Sequence, residues 1–196
     1  MTKLTADISM SLDGFVAGPH PSLDHPLGEG GEGLHEWAFG LEAWRERHGL
    51  SGGDTNPNDE VVQELLASTG ETIMGRRMYS GGAGPWEDDP RSDGWWGAEP
   101  PFRQPVFILT HHAREPVTKE GGTTFTFVTD GIEAALDQAR AAAADKNVLV
   151  AGGADAVQQY LKAGLLDELG TDEIQLEGTR VIESPGVTHL RFRVAK

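Results

Sequence analysis

The sequence contains no cysteine, which excludes disulfide bonds and thiol chemistry. Its seven histidines show no His-Glu-x-x-His spacing, so we expect no metal site. It also has no long apolar run and no leader-like segment. From these absences we expect a cytoplasmic protein that does not bind membranes.

Basic side chains are scarce, since 16 Lys and Arg stand against 31 Asp and Glu, for a net charge of −15. A field of this sign repels phosphate backbones, so we expect no nucleic-acid partner. An anionic cofactor must then be held by locally placed arginines and backbone N–H groups. The remaining composition is that of a globular protein, with 38% hydrophobic and 24% charged residues. At this length we expect a single domain over residues 1–196.

Glycine, in contrast, is abundant, and its clearest use is a strand–turn–helix pattern over residues 147–167. Residues 148–151 form an apolar run typical of a strand that is buried on both faces. Gly152 and Gly153 follow, and then a helical spacing that ends at Gly164. Two interpretations stay open for the glycine pair. It forms a tight turn, or it forms an anion site where N–H groups and the helix dipole favour phosphate.

A second glycine follows the short predicted strand 71–74, and two arginines follow it as Gly75-Arg76-Arg77. Guanidinium groups match phosphate oxygens, and a glycine lets the backbone come close, so this pattern suggests a phosphate clamp. The alternative is a solvated basic pair, the usual fate of arginine.

A buried strand is predicted over residues 105–110, with Thr110 and His111 at its carboxyl end. Open α/β sheets bind ligands at that edge. A metal role for His111 and His112 is weak, because adjacent side chains in an extended segment point in opposite directions.

The rest of the chain alternates predicted strands with predicted helices. The strands are 4–10, 123–128, 173–183 and 187–194; a helical face runs from Leu34 to His48, a helix capped by Asn58 or Asp59 ends at Gly70, and another is capped by Asp130. Tryptophans on the first helical face are read as core anchors, and those of loop 80–104 as cover for a pocket or a dimer surface. The predicted fold class is α/β, a mostly parallel sheet with helices on both faces and an antiparallel C-terminal hairpin.

Five motifs then suggest a family when they are taken in order. They are Met10–Phe15, Met74–Tyr79, Val106–His111, Val150–Ala154 and Ser184–Leu190. With them the chain resembles, over nearly its whole length, the dihydrofolate-reductase-like proteins related to the reductase domain of the bacterial riboflavin-biosynthesis deaminase–reductase. The resemblance implies a three-layer dihydrofolate-reductase-like fold, a homodimer and an NADPH-dependent reductase. The implied substrate is a small heterocyclic or carbonyl compound, for example 5-amino-6-(5-phosphoribosylamino)uracil.

The resemblance also assigns a site. It implies that cofactor phosphates bind Gly75-Arg76-Arg77, and that the pyrophosphate faces a cis Gly152-Gly153 peptide. Other cofactor contacts are expected at Thr110 and His111 around the adenosine ribose and its 2′-phosphate, at Ser11 and Ala17 by the nicotinamide, and at Ala154. Asp13 is the candidate catalytic residue, although Asp-Gly is also a strong turn pair. Glu36 is a second candidate carboxylate.

The chain departs from the family pattern after residue 169, where about one strand and its connection are missing. Three outcomes are open: segment 173–183 shifts into the gap, a partner chain fills it, or the sheet is compromised. Two other functions therefore stay open beside the reductase. One is a non-catalytic module that binds or senses NADPH, and the other is a structural dimer without a ligand.

Overall fold

A computed structural model describes residues 2–11, 13–168, 176–184 and 186–194. The strands in this part of the chain are β1 (Leu4–Ala6), β2 (Thr69–Gly75), β3 (Pro105–Leu109), β4 (Val117–Thr118), β5 (Thr124–Val128), β6 (Asn147–Gly152), β7 (Leu176–Ser184) and β8 (Val187–Val194). The α-helices are α1 (Glu36–Phe39), α2 (Glu42–Arg47), α3 (Pro57–Ser68), α4 (Arg76–Ser80), α5 (Gly131–Ala142) and α6 (Ala154–Lys162). The chain forms two compact units, Met1–Asp7 with Thr69–Leu165 and Ile8–Ser68 with Leu166–Lys196. The single domain expected from the sequence stays a prediction.

The first unit holds a six-stranded sheet in the order β1-β6-β2-β3-β5-β4. Each neighbouring pair is parallel except β4 with β5, which is antiparallel. The connection from β2 to β3 contains α4, and the one from β5 to β6 contains α5 and crosses the sheet in the opposite direction. Right-handed crossovers in opposite directions place their helices on opposite faces. The predicted mostly parallel α/β sheet is therefore confirmed.

The core of the first unit lies between this sheet and its helices. Met74, Tyr79, Val106, Ile108 and Phe125 form one buried cluster. The strand predicted over residues 148–151 is present, with Val148 and Val150 buried. Leu149 and Ala151 are only partly buried, so the predicted burial is confirmed on one face of the strand and not on both. Full burial of side chains of this size contributes about 1.5–3 kcal/mol each.

Two local predictions in the first unit are wrong. The first strand ends at Ala6 instead of Met10, whose side chain is 63% exposed. The alternation of apolar residues continued past the end of pairing with β6, which stops at Ala6. Asp130 does precede α5, but its side chain makes no capping bond. Its backbone (φ −90°, ψ 16°) lacks the extended conformation from which such a side chain reaches the helix N–H groups.

In the second unit, the helix predicted over residues 34–48 is replaced by two short helices, α1 and α2. The break falls at Leu41, whose backbone is extended (φ −73°, ψ 144°). Asp54 takes over the hydrogen bonding there, since its N–H donates to the Gly40 carbonyl (2.9 Å) and its carbonyl accepts from the Glu42 N–H (3.2 Å). The helical spacing nevertheless marked the buried side, because Leu41 is in a core cluster against which Trp37 and Trp44 pack.

Helix α3 begins two or three residues earlier than a cap at Asn58 or Asp59 implies, with Pro57 at its first position. Asn56 caps it, because its side-chain oxygen accepts hydrogen bonds from the N–H groups of Asn58 (2.8 Å) and Asp59 (3.3 Å). The prediction of a cap at Asn58 or Asp59 is therefore wrong. The buried Asp59 carboxylate instead accepts hydrogen bonds from the Ala43 N–H (2.8 Å) and the Gln63 side chain (2.7 Å).

The predicted C-terminal hairpin is present as β7 and β8, which form an antiparallel two-stranded sheet of their own. Glu64 of α3 binds Arg180 and Arg191, one from each strand, and these hydrogen bonds lower the pKa of its carboxyl group. The face expected to be buried is only partly so, because Leu190 is 58% exposed. The predicted start at 173 and the predicted missing strand after 169 fall on 169–175, outside the described residues.

Candidate functional site

Three of the predicted site segments meet at one edge of the first unit's sheet. Parallel strands end at the same edge, and β2 lies between β6 and β3. In register, Met74 pairs with Gly152 and Gly75 with Leu109. A Cβ atom placed on Gly75 would lie 3.7 Å from the backbone nitrogen of Gly153. The fold thus brings the first glycine motif, the glycine pair and the residues after β3 side by side.

The two glycines of the pair differ in what they require. Their peptide bond is cis, as the resemblance implied. Gly152 has φ +135°, and a Cβ atom there would lie 3.1 Å from the Met78 sulfur, so this position favours glycine for its backbone conformation. Gly153 has an ordinary φ of −71°, and an added Cβ atom would meet no heavy atom within 4 Å. Open space therefore lies beside the backbone at Gly153.

Helix α6 starts immediately after this pair and has no side-chain cap. Its first intrahelical bond is donated by the Ala156 N–H to the Gly153 carbonyl (3.0 Å). The N–H groups of Ala154 and Asp155 precede that bond and have no acceptor inside the helix. With the helix dipole they form a partial positive charge next to the open space at Gly153.

Arg77 is the exposed arginine of the predicted clamp. Its side chain is 74% exposed and lies 4.0 Å from the carboxylate of Asp155, itself 86% exposed. An ion pair so open to solvent and so long is weak, so Arg77 can turn to another anion at little cost. Sequence reasoning did not single out Asp155, although its place in the first turn of a predicted helix was visible.

Arg76 is placed quite differently, since only 7% of its side chain is exposed. Its guanidinium lies 2.5 Å from the Asp89 carboxylate, donates to the Ser80 hydroxyl, and stacks 3.5 Å from the centre of the Trp86 ring. Burial alone would raise the pKa of Asp89. Hydrogen bonds from Ser80, the Arg91 N–H and Arg76 outweigh burial and hold that pKa below its usual value. The phosphate role implied for Arg76 stays untested, and its guanidinium already has partners.

The residues after β3 form a fixed turn. Thr110 is buried, and its hydroxyl accepts a hydrogen bond from the His112 N–H (3.1 Å). The His112 carbonyl accepts another from the Trp86 indole (2.8 Å). His111, between them, is exposed to solvent. Its side chain is therefore available to a ligand at this edge, while the side chains of Thr110 and Trp86 stabilise the backbone.

The other predicted site residues belong to the second unit. Ser11 and Asp13 form a tight turn in which the Ser11 hydroxyl donates to the Asp13 carboxylate (2.6 Å) and accepts from the Phe15 N–H (3.0 Å). Asp13 and Glu36 are exposed, and Ala17 is half-buried. The structure thus gives Asp13 the turn role that its sequence context also suggested, and its catalytic role stays a prediction.

A polar cluster that the sequence did not suggest also lies in the second unit. His189 of β8 is hydrogen-bonded through Nε2 to the Asn58 side-chain oxygen (2.6 Å) and packs edge-on against Trp37 (5.0 Å). Burial lowers the pKa of His189. These residues are far apart in the sequence, so no local pattern could have joined them.

The described residues contain neither a membrane-spanning helix nor a metal cluster. None of the helices there combines the length and the apolar character needed to cross a membrane. The same residues contain no group of three His, Asp or Glu side chains placed to hold a metal ion.

The sequence profile of one family, the RibD C-terminal domain, matches residues 2–171. The chain belongs to this family. RibD C-terminal domains are reductases of the riboflavin pathway, a type of oxidoreductase that uses a nicotinamide cofactor. Among curated proteins, none matches the sequence.

Solved structures share the RibD C-terminal domain fold. A protein from Shewanella sp. PV-4 named for riboflavin biosynthesis is 19% identical, with a TM-score of 0.55 and full coverage of both chains. RibD from Acinetobacter baumannii is 15% identical, with a TM-score of 0.52, and the match covers 100% of this chain and 59% of RibD. Likeness at these identities shows the fold, and the predicted dihydrofolate-reductase-like fold is thereby confirmed.

Proposed function

We propose that this protein is an NADPH-dependent reductase that transfers hydride to a small heterocyclic or carbonyl substrate. A compound like 5-amino-6-(5-phosphoribosylamino)uracil is the substrate that its family suggests. NADPH, this substrate and the expected homodimer are all parts of the proposal. Its main support is the combination of open space at Gly153, an uncapped helix α6 and an exposed Arg77 at one sheet edge.

These groups fit the diphosphate of a dinucleotide. A phosphate needs close backbone approach, N–H donors and a compensating charge, and this sheet edge has all three. The net charge of −15 repels an anionic cofactor, and these groups offset that repulsion locally at the site. Asp155 opposes it, and Arg77 lies within 4.0 Å to offset that carboxylate.

The protein's own groups would then bind and orient. The N–H groups of Ala154 and Asp155 would donate to the diphosphate, and the Arg77 guanidinium would balance its charge. Thr110 and His111 would border the ribose with its 2′-phosphate. A bound nicotinamide supplies the hydride, and reduction of a carbonyl or imine also requires a proton. Asp13 stays the candidate polar group for that end of the reaction.

Replacing Arg77 by Ala should weaken NADPH binding about tenfold. The variant loses a charge-assisted hydrogen bond to phosphate, which is worth about 1.5–3 kcal/mol when it is well formed and less at an exposed site. Titration of NADPH fluorescence measures the affinity. Raising the salt concentration should weaken binding less in the variant than in the wild type, since one screened charge is gone.

Lys162→Ala is the matched control, because it removes the same charge from an exposed position in the last turn of α6. Equal NADPH affinity in the Arg77 and Lys162 variants would contradict the role of Arg77. Turnover is tested separately by loss of the NADPH absorbance band with pyrimidine, pterin and quinone substrates. Binding without any turnover would favour the alternative of a sensing module.

A further inference from the structure

We infer that Arg76 is a positioning residue of the cofactor site, which sets the geometry of the edge where Arg77 and His111 lie, and that it does not bind phosphate itself. This inference rests on the proposed function. Neighbouring residues of a helix project about 100° apart, so the two arginines of α4 cannot face the same way. Arg76 is buried in this pair, and Arg77 is exposed.

The partners of Arg76 show why it stays inside. Ser80 accepts a hydrogen bond from its guanidinium and donates one to the Asp89 carboxylate (2.7 Å), so the three side chains are linked to one another. The buried Nε atom of Arg76 has no hydrogen-bond partner. Moving Arg76 out to a phosphate would leave the Asp89 carboxylate buried without a cationic partner, which is unfavourable. Arg77 faces no such cost, because its carboxylate partner is solvated.

A continuous chain of contacts leads from Arg76 to the residues after β3. The Arg76 guanidinium stacks on Trp86, and the Trp86 indole donates to the His112 carbonyl. The His112 N–H in turn donates to the Thr110 hydroxyl. These contacts tie the turn after β2 to the turn after β3. They therefore set the spacing between a phosphate anchor at Arg77 and the exposed His111.

A second arginine reinforces the same loop. Arg114 lies 5.1 Å from the centre of the Trp86 ring and forms an ion pair with Asp93 (2.7 Å). It also donates to the Ser92 carbonyl. Segment 86–93 thus contacts Arg76 after β2 and Arg114 after β3. We call this segment with its two arginines the connecting segment, because it links the two turns.

Asp89→Asn decides between the two roles of Arg76 by the sign of its effect. If Arg76 binds phosphate, loss of the competing carboxylate frees it and NADPH binds as well as before or more tightly. If Arg76 is a positioning residue, its contacts with the connecting segment weaken and NADPH binds about tenfold more weakly. Asp88→Asn is the matched control, since it removes the same charge from the exposed neighbouring position.

Amide hydrogen exchange measures the local stability of the two turns without a bound cofactor. Asp89→Asn should speed exchange about tenfold in segments 75–77 and 110–114, while Asp88→Asn should not. A variant that only lost global stability would instead exchange faster throughout. If Asp89→Asn does not fold, Trp86→Phe is tested in its place. Trp86→Phe keeps an aromatic ring beside Arg76 and loses the hydrogen bond to His112. Trp95→Phe is its control.

The outcomes separate this inference from the proposed function. Weaker NADPH binding and faster exchange confined to the two turns support the positioning role. Unchanged exchange in those turns, or unchanged or tighter NADPH binding, overturns it. If the wild-type protein binds no NADPH, the proposed function fails, and the exchange measurement then decides only whether Arg76 links the two turns.

Discussion

Gly153→Ala is expected to weaken NADPH binding about tenfold or more, while the unfolding temperature stays the same or rises slightly. The backbone at Gly153 (φ −71°, ψ −177°) suits any residue, and the new methyl group meets no protein atom within 4 Å. The methyl group would instead occupy the space proposed for the diphosphate. Excluding a phosphate from its N–H donors removes charge-assisted bonds of about 1.5–3 kcal/mol each.

Gly84→Ala is the control for this experiment, because Gly84 also lies in open space and has no positive φ. Gly152 would be a poorer choice, since φ +135° and the contact with Met78 would disturb the fold itself. NADPH fluorescence titration and thermal unfolding are measured for both variants. Equal affinities in the Gly153 and Gly84 variants would show that the space beside Gly153 is not used by the cofactor.

Glu71 should make the stability of the protein fall as the pH rises through about 7. Its side chain is 4% exposed, and its Oε2 atom has no hydrogen-bond partner. Burial raises its pKa from the ordinary 4.5 to about 7. The folded state therefore holds this proton more tightly than the unfolded state. The stabilisation is complete below about pH 4.5 and is lost as the pH rises through the folded pKa, by on the order of 3 kcal/mol.

Glu71→Gln keeps the shape of the side chain and removes the titration. Its free energy of unfolding, measured with denaturant from pH 5 to pH 8, should increase relative to that of the wild type as the pH rises. The exposed Glu115→Gln variant should follow the wild type throughout. Parallel stability curves for Glu71→Gln and the wild type over this range would refute the assignment of a neutral buried Glu71.

Most of the first unit's sheet could be predicted from the sequence, because its signals are local. The apolar run 148–151, the glycine pair after it and the stop at Gly164 each constrain their own neighbourhood, and the structure has β6, a turn and α6 there. The break at Leu41 could not be predicted in this way. It depends on backbone hydrogen bonds to Asp54, which helical periodicity does not report.

The site shows the same division between local and distant signals. The glycines and Arg77 stand next to strand ends in the sequence, and parallel pairing then brings them together. Arg76 looked equivalent to Arg77, because the sequence did not show that Asp89, Ser80 and Trp86 would surround it. A buried partner in a later loop leaves no periodic pattern, so burial had to be seen in the structure.

The most direct test of the account is a crystal structure of the protein grown with NADPH. We expect the diphosphate to lie beside Gly153, within hydrogen-bond distance of the Ala154 N–H and of the Arg77 guanidinium, with Arg76 still paired to Asp89. A cofactor whose diphosphate lies elsewhere on the protein, or none at a saturating concentration, would contradict the account.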